Sequence, residues 1–332
     1  YPNGQLAGHI LGGTTFGAQG VHSAEVIGMA GVEKAFDTFL RDPRFDGQPL
    51  QLSVDLTVQS ALEEALYGGM RLMNAKGASA VLMDAFSGEI VSLSSLPDFN
   101  PNNRPRPLTQ GDASDSALFN RAVQGVYELG SVFKAFTVAQ AMDLGLVEPD
   151  TLVDTKGPLR WGKHKISDYR DYGAQLSVEK VLIKSSNIGT ARLSLMIGAD
   201  LQKDFLDRLG LLQATPIEMI EGPTGRPQYP SNWSDISTMT ISYGHGISTS
   251  PVHLAAGYAT IVNGGTLVKP TVLKQPAAPR GARIISEKTS RHLRSMMRRL
   301  VTEGTAKMGD VPGYSVAGKT GTADKPSPPG GK

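Results

Sequence analysis

One stretch of the chain constrains the fold more than any other. From Ser131 to about Leu144 nearly every position is apolar, in SVFKAFTVAQAMDL, and Gly145 follows. This pattern predicts a helix that is buried on all sides, because a surface helix keeps a polar face. Such a helix requires other elements packed around it, so the sequence indicates a helical core.

Strand-like and helix-like segments divide the rest of the chain. Strands are predicted at 50–56, 77–85, 88–96 and 314–323, the middle two forming a hairpin. Helices are predicted at 23–42, 57–75 (capped by Thr57 or Asp55), 178–185, 187–198, 201–210, 250–262 and 286–304. An early hairpin, many helices and a late strand indicate an α+β fold, an antiparallel sheet flanked by a helical cluster.

Composition excludes several classes of protein. The 332 residues are 40% hydrophobic and 19% charged, as in ordinary globular proteins, and the net charge of +2 gives no reason to expect nucleic acid. No run approaches the ~18 apolar residues of a membrane span. The chain has no cysteine, so disulfides, thiolate metal sites and cysteine nucleophiles are excluded. Because the sequence opens without Met and stops at GGK, we expect a fragment of a longer protein.

A lysine lies inside the predicted buried helix, three residues after a serine. Burial disfavours the charged form of lysine, so the pKa of Lys134 is expected to fall and the neutral amine to act as a base. In an α-helix residues 131 and 134 lie about 300° apart, on one face, so the amine can reach the Ser131 hydroxyl and activate it. The alternative interpretation is a helix cap at Ser131 and a lysine that extends to the surface.

Two further motifs follow in the sequence. Ser185-Ser186-Asn187 joins two apolar helical segments, and Lys319-Thr320-Gly321-Thr322 follows YSVAG at the end of the last predicted strand. Taken singly, the first is typical of a helix cap and the second of a charged strand edge. In the order S-x-x-K, S-x-N, K-T-G-T they resemble the three motifs of the penicillin-recognising serine acyltransferases.

The resemblance extends over nearly the whole chain and identifies it as a member of the class B penicillin-binding proteins. Segments outside the motifs agree, among them GVEKAFDTFL, LSVDLTVQSALEEAL, GASAVLMDAFSGEIVSLSSLPDFNPN and YGHGISTSPVHLAAGYATIVNGG. YELGSVFKAFTVAQAMDLG and SSNIGTARLSLMIG resemble the cell-division (septal) branch, penicillin-binding protein 3 type, more than the elongation branch. One departure is Leu129, where the family usually has Pro.

The resemblance implies a peptidoglycan D,D-transpeptidase with a serine β-lactamase-like fold and no metal or organic cofactor. Ser131 forms the acyl-enzyme and Lys134 is its base. Ser185 passes a proton to the leaving amine, and Asn187 holds Lys134 and the substrate amide. Lys319 supplies positive charge, while Thr320, Gly321 and Thr322 bind the substrate as an added strand. The backbone N–H groups of Ser131 and Thr322 form the oxyanion hole.

The resemblance also implies partners, a location and a domain division. The expected partners are stem peptides ending in D-Ala-D-Ala, β-lactam antibiotics and other division proteins. The expected place is the periplasmic face of the bacterial inner membrane, held by one N-terminal anchor. Residues 1–49 correspond to the last part of a pedestal domain and 50–332 to the transpeptidase domain. The family has two more strands and a helix after the K-T-G strand, so we expect the chain as given to be catalytically impaired.

Three alternatives share part of this pattern. An elongation-type transpeptidase differs only in subtype. A penicillin sensor is acylated but does not cross-link, and it lacks the GVEKAFDTFL and DLTVQSALEEAL segments. A serine β-lactamase needs a carboxylate that activates water, and no E-x-x-L-N-like loop lies between Ser186 and Lys319.

Two weaker features have ordinary explanations. Arg291, Arg294 and Arg298 share one helical face that is able to meet an anionic glycan or lipid, although a solvated face is the more common meaning of this pattern. His245 has no second ligand at metal spacing, so a structural role is expected.

Overall fold

The computed structural model describes residues 1–18, 24–45, 47–278 and 281–324. The strands are β1 (Gly13–Ala18), β2 (Ala24–Ala30), β3 (Ala78–Met83), β4 (Ile90–Leu96), β5 (Leu152–Asp154), β6 (Leu159–Trp161), β7 (His164–Ile166) and β8 (Gln175–Ser177). The helices are α1 (Gly8–Leu11), α2 (Gly31–Ala35), α3 (Asp37–Arg41), α4 (Leu56–Leu72), α5 (Lys134–Asp143), α6 (Val178–Lys184), α7 (Asn187–Ile197), α8 (Ala199–Arg208), α9 (Asp235–Ser242), α10 (Pro251–Val262) and α11 (Glu287–Glu303). None of these helices is both long and apolar enough to cross a membrane.

The N-terminal segment contains a hairpin where the sequence pattern predicted a helix. β1 and β2 pair antiparallel, with Thr15 opposite Ile27. The helix prediction for 23–42 is therefore wrong over 24–30 and holds only for the two short helices α2 and α3. Pairing with β1 overrides the helical spacing of the apolar residues, because strand formation depends on the neighbours available. Ser23 lies outside the described residues.

Helix α4 begins where the next strand was expected to end. The Asp55 carboxylate accepts hydrogen bonds from the backbone N–H groups of Thr57 and Val58, so Asp55 is the cap. The strand predicted at 50–56 is wrong. That segment forms one isolated bridge, between Leu52 and Leu273, and its other backbone hydrogen bonds, such as that of the Ser53 N–H with the Val272 carbonyl, do not build a continuous ladder.

The predicted hairpin over 77–96 is confirmed as β3 and β4. The strands pair antiparallel with Val81 opposite Leu93, and the register shifts between Leu82 and Met83. At the turn, the Asp84 carboxylate accepts from the backbone N–H groups of Phe86 and Ser87. Together with the helices behind it, this hairpin gives the α+β fold that the sequence indicated.

The helical core surrounds α5. Nine of its ten residues are buried, from Lys134 to Met142, as the apolar stretch predicted. The elements packed around it include α6, α7, α8, α9 and α11. The predicted helix start at Ser131 requires correction, because Gly130–Phe133 forms a 3₁₀ turn and α5 begins at Lys134. Helix α9 was not predicted, since its sequence DISTMTIS is rich in residues with low helix propensity.

The last predicted strand is not formed. Residues 315–324 have no strand assignment, and within the described ranges all sheets are the two-stranded pairs β1–β2, β3–β4, β5–β8 and β6–β7. A strand requires a ladder partner, and here the backbone makes other contacts, such as that of the Gly318 N–H with the carbonyl of Met297 at 3.3 Å. The strand prediction for 314–323 is therefore wrong, although the segment still reaches the site described next.

Candidate active site

Ser131 lies in a 3₁₀ turn whose position is fixed by a close backbone contact. The preceding residue, Gly130, has φ 59° and donates its N–H to the carbonyl of Gly244 at 3.2 Å. In a 3₁₀ turn the side chains at i and i+3 eclipse one another. The turn therefore sets Ser131 and Lys134 more directly in line than the α-helical spacing that the sequence suggested.

The Lys134 side chain is fully buried and makes three hydrogen bonds. Its ammonium group donates to the Ser185 carbonyl at 2.6 Å, to Ser185 Oγ at 3.1 Å and to Asn187 Oδ1 at 2.7 Å. The alternative interpretation of a lysine extending to the surface is thus excluded. The hydroxyl of Ser131 is not among these three partners.

Burial lowers the pKa of Lys134 from its ordinary value to about 7. Loss of hydration is the largest cause, and the positive charge of Lys319 lowers the pKa further, while the negative charge of Asp168 opposes both. A lysine with a pKa near neutrality is partly unprotonated at physiological pH. It is then able to accept a proton from a neighbouring hydroxyl.

The Ser185-Ser186-Asn187 turn is held by the two helices that it joins. Ser185 ends α6 with φ 60°, a left-handed conformation that turns the chain sharply. Ser186 begins α7 as the predicted cap, its hydroxyl accepting from the Gly189 N–H at 2.9 Å. This geometry presents the Ser185 hydroxyl and the Asn187 amide to Lys134 on one side of the turn.

A carboxylate that the sequence analysis missed supports this turn. Asp168 accepts from the Asn187 N–H at 2.5 Å, the Ile188 N–H at 3.0 Å and the Ser186 hydroxyl at 2.7 Å. The Asn187 amide nitrogen also donates to the Ser167 carbonyl at 3.0 Å, which fixes its oxygen toward Lys134. Asp168 precedes the motif by 17 residues in an irregular segment, so no sequence periodicity marks it.

Lys319 contacts the same turn at Ser185. Its ammonium group donates to Ser185 Oγ at 2.9 Å and to the carbonyl of Thr320 at 2.8 Å. The side chain is partly buried, and this burial lowers its pKa to about 8. Four of the five residues predicted as catalytic, Lys134, Ser185, Asn187 and Lys319, are therefore linked by hydrogen bonds, with Ser185 in contact with both lysines. The fifth, Ser131, lies on the 3₁₀ turn that immediately precedes Lys134.

The backbone of 320–322 lies directly against the Ser131 turn. A Cβ atom on Gly321 would lie 2.4 Å from the carbonyl oxygen of Leu129, and one on Gly130 would lie 2.2 Å from the carbonyl oxygen of Thr322. Neither position therefore admits a side chain without displacement of the backbone. The predicted oxyanion residues, Ser131 and Thr322, are brought to one place by this approach. The Thr320 hydroxyl pairs with that of Thr305 at 2.9 Å.

The arginine face on α11 is occupied by local contacts. Arg291 pairs with Glu287, Arg298 with Asp310, and Arg294 donates to the Val262 carbonyl. These contacts favour the solvated-face interpretation over an anion site. In the part of the chain that the structure describes, no group of three or more His, Cys, Asp or Glu side chains is able to hold a metal ion.

Comparison with known proteins adds the family. The sequence model of one protein family, described as the penicillin binding protein transpeptidase domain, matches residues 78–332. The probable peptidoglycan D,D-transpeptidase FtsI of Caulobacter vibrioides is 36% identical over 334 residues, covering 99% of this chain and 54% of that protein. The peptidoglycan D,D-transpeptidase FtsI of Escherichia coli K12 is 31% identical over 353 residues, covering 99% and 57%. The chain thus spans little more than half the length of these curated relatives.

Solved structures agree with the sequence relatives. Penicillin-binding protein 3 of Mycobacterium tuberculosis superposes with a TM-score of 0.85 at 28% identity, covering 100% of this chain and 77% of that one, both in its apo form and in complex with aztreonam. The transpeptidase domain of Burkholderia pseudomallei penicillin-binding protein 3 gives 0.73 at 33% identity, covering 84% and 79%. With the match over 78–332 and the three motifs in one cluster, the chain belongs to the penicillin-binding protein transpeptidase family.

Proposed function

We propose that this chain carries the D,D-transpeptidase activity of septal peptidoglycan synthesis, acting through a Ser131 acyl-enzyme. The observation that carries the proposal is the buried Lys134 ammonium group, which contacts Ser185 and Asn187 and lies three residues after Ser131. The proposed reaction and the proposed septal role rest on membership of the family and on the FtsI relatives. We assign the domains as 1–49 for the pedestal remnant and 50–332 for the transpeptidase.

In the first half-reaction, the Ser131 oxygen attacks the carbonyl of the penultimate D-alanine of a stem peptide. The neutral amine of Lys134 takes the hydroxyl proton, and hydrogen bonds of this kind often tighten only when substrate is bound. The backbone N–H groups of Ser131 and Thr322 stabilise the oxyanion. The C–N bond then breaks, and the terminal D-alanine leaves with a proton delivered through Ser185.

In the second half-reaction, an amino group of a neighbouring stem peptide attacks the ester carbonyl. The amine loses a proton to the same Ser185 and Lys134 relay, the ester C–O bond breaks, and Ser131 recovers its proton. The product is a peptide cross-link. Asn187 orients both Lys134 and the substrate amide, and the charge of Lys319 attracts the terminal carboxylate of the donor peptide.

The segment Thr320, Gly321 and Thr322 binds the donor peptide through its backbone, as an added strand does. Its exposed backbone, free of a ladder partner within the described residues, suits this role. β-Lactams resemble D-Ala-D-Ala and acylate Ser131 in the same way, in keeping with the aztreonam complex of the M. tuberculosis relative. No cofactor or metal takes part in this scheme, and nucleic acid is not a partner in it.

We assign the protein to the periplasmic face of the inner membrane, where stem peptides are cross-linked. A single anchor segment and contacts with other division proteins belong to the same proposal. They rest on the FtsI relatives, whose length this chain covers by little more than half.

The test is intact-protein mass spectrometry after incubation with benzylpenicillin. The expected result is one adduct of the whole β-lactam mass that persists for hours and is missing in Ser131→Ala. Rapid loss of the adduct with release of penicilloate would indicate a β-lactamase and overturn the proposal. A D-Ala release assay with a stem pentapeptide, with and without an acceptor amine, separates a transpeptidase from a sensor that is acylated but does not turn over.

A further inference from the structure

The 3₁₀ turn that carries Ser131 is contacted by a tyrosine from a distant helix. The Tyr258 hydroxyl, on α10, donates to the carbonyl oxygen of Val132 at 2.7 Å. Burial raises the pKa of Tyr258, so the phenol keeps its proton and remains a donor throughout the neutral range. Val132 lies between Ser131 and Lys134, so this contact fixes one of the peptide groups between the nucleophile and its base.

The rest of the Tyr258 side chain is held in place by close packing. Its ring meets that of Phe136 edge to face, with centroids 5.4 Å apart and planes at 81°. At the neighbouring Gly257, an added Cβ atom would lie 3.0 Å from Phe136 Cζ, so the Phe136 ring packs directly against α10. The phenol is therefore pre-positioned by contacts that do not involve the reacting groups.

The physical effect of the contact follows from the geometry of the turn. In a 3₁₀ turn the side chains of residues i and i+3 eclipse, whereas in an α-helix they are rotated about 60° apart. Runs of 3₁₀ geometry have poorer hydrogen bonds than α-helix, so they are short, and an additional hydrogen bond from outside the turn stabilises them. A donor on the Val132 carbonyl supplies that support where the backbone changes from 3₁₀ to α at Lys134.

We propose that Tyr258 is a positioning residue, which keeps the Gly130–Phe133 turn in the 3₁₀ form and so aligns the Ser131 hydroxyl with the Lys134 amine. This inference rests on the proposed function of Ser131 as the acylated nucleophile. Tyr258 touches neither substrate nor the reacting atoms and acts only through the backbone of Val132.

The test is Tyr258→Phe, which removes the hydroxyl and keeps the ring against Phe136. Acylation by benzylpenicillin is followed by stopped flow, and three quantities are separated: the fraction of protein acylated, the apparent dissociation constant, and the acylation rate constant at saturation. The rate constant is expected to fall about 10- to 100-fold, the size of effect produced by small misplacement of reacting groups. The acylated fraction and the dissociation constant are expected to stay unchanged.

The matched control is Tyr243→Phe. Tyr243 is also a buried tyrosine, packed in the small cluster with Leu159, Ile166 and Met239, and we expect its variant to keep the parent rate constant. Replacement of Tyr258 by 4-aminophenylalanine restores a donor at the same place, so the rate constant is expected to return to within about threefold of the parent. If Tyr258→Phe does not fold, 4-fluorophenylalanine and 4-aminophenylalanine at 258 provide the same comparison.

The outcomes separate the two proposals. If neither the unmodified chain nor a version extended at its C-terminus is acylated at Ser131, the proposed function fails. If it is acylated but Tyr258→Phe keeps the parent rate constant, the function stands and the role of Tyr258 is overturned. A lower acylated fraction with an unchanged rate constant also overturns it, because that result indicates a purely structural contribution to folding.

Discussion

Lys134 and Lys319 approach the same oxygen atom. Their ammonium groups both donate to the Ser185 hydroxyl, at 3.1 and 2.9 Å. The positive charge of Lys319 disfavours the charged form of Lys134, and this effect adds to that of burial. The pKa of Lys134 therefore lies at about 7, and burial places that of Lys319 at about 8.

The first prediction concerns the pH dependence of acylation. Lys134 must be neutral to act as a base, so the acylation rate is expected to rise with pH through about 7. Lys319 must be charged to attract the substrate carboxylate, so the rate is expected to fall again above about 8. The plot of rate against pH should therefore be a narrow bell-shaped curve. It is obtained by measuring the second-order acylation rate constant between pH 5.5 and 9.5.

In Lys319→Met the repulsion on Lys134 is removed, which raises the pKa of Lys134. The rising limb should move to higher pH and the falling limb should disappear. A rising limb that stays in place would show that Lys319 does not influence the base.

The second prediction concerns stability against pH. The pKa of Lys134 is lower in the folded state than in the unfolded chain, so between about 7 and 10.5 the unfolded chain binds more protons. Stability then rises with pH in that window. Relative to Lys134→Met, the parent's free energy of unfolding should increase by about 2 kcal/mol from pH 7.5 to 9.5, at up to 1.4 kcal/mol per pH unit. Urea unfolding at both pH values measures this free energy. An equal change with pH in the parent and in Lys134→Met would contradict the prediction.

The third prediction concerns Asp168. Removal of its carboxylate in Asp168→Ala leaves the N–H groups of Asn187 and Ile188 without their partner at the start of α7. We expect a loss of about 2 kcal/mol in the free energy of unfolding, from the lost charge-assisted bonds, together with slower acylation. The control is Asp171→Ala. The Asp171 carboxylate accepts one exposed backbone N–H, that of Gly173. Equal losses for the two variants would argue against a special role for Asp168.

The fourth prediction concerns the close approach of 319–322 to the Ser131 turn. In Gly321→Ala the new methyl group collides with the carbonyl of Leu129, so the segment must move away from Ser131. The acylation rate constant is expected to fall about tenfold or more, because the oxyanion donors separate. Gly318→Ala adds the same methyl group at a position where, among the described residues other than its chain neighbours, no atom lies within 4 Å, and it should be neutral. Similar rates for both variants would show that the contact at Gly321 is not needed.

The sequence was most informative where a residue with a reactive side chain lies in a segment that is predicted to be buried. The run from Ser131 to Leu144 predicted a helix buried on all sides, and a lysine within it predicted a depressed pKa, both as found. The helix start at the S-x-N turn could likewise be predicted, because serine and asparagine favour helix ends.

What the sequence could not provide depends on distant neighbours. The apolar residues of 24–30 have helical spacing, yet pairing with β1 makes them a strand. Asp168 and Tyr258 occupy ordinary positions in the sequence, and only the folded chain brings them to Ser186 and Val132. The 3₁₀ form of the Ser131 turn is another such case, since local sequence alone favours continuing the α-helix.

The three acceptors around Lys134 place a limit on what happens when its amine loses a proton. A neutral amine has two N–H bonds and one lone pair. The Ser185 carbonyl and the Asn187 amide oxygen can only accept, so they retain the two N–H bonds. The lone pair is left for a hydroxyl, and the Ser185 hydroxyl is already in contact while accepting from Lys319. Deprotonation therefore reverses the direction of one hydrogen bond, so that the Ser185 hydroxyl donates to Lys134 while it still accepts from Lys319.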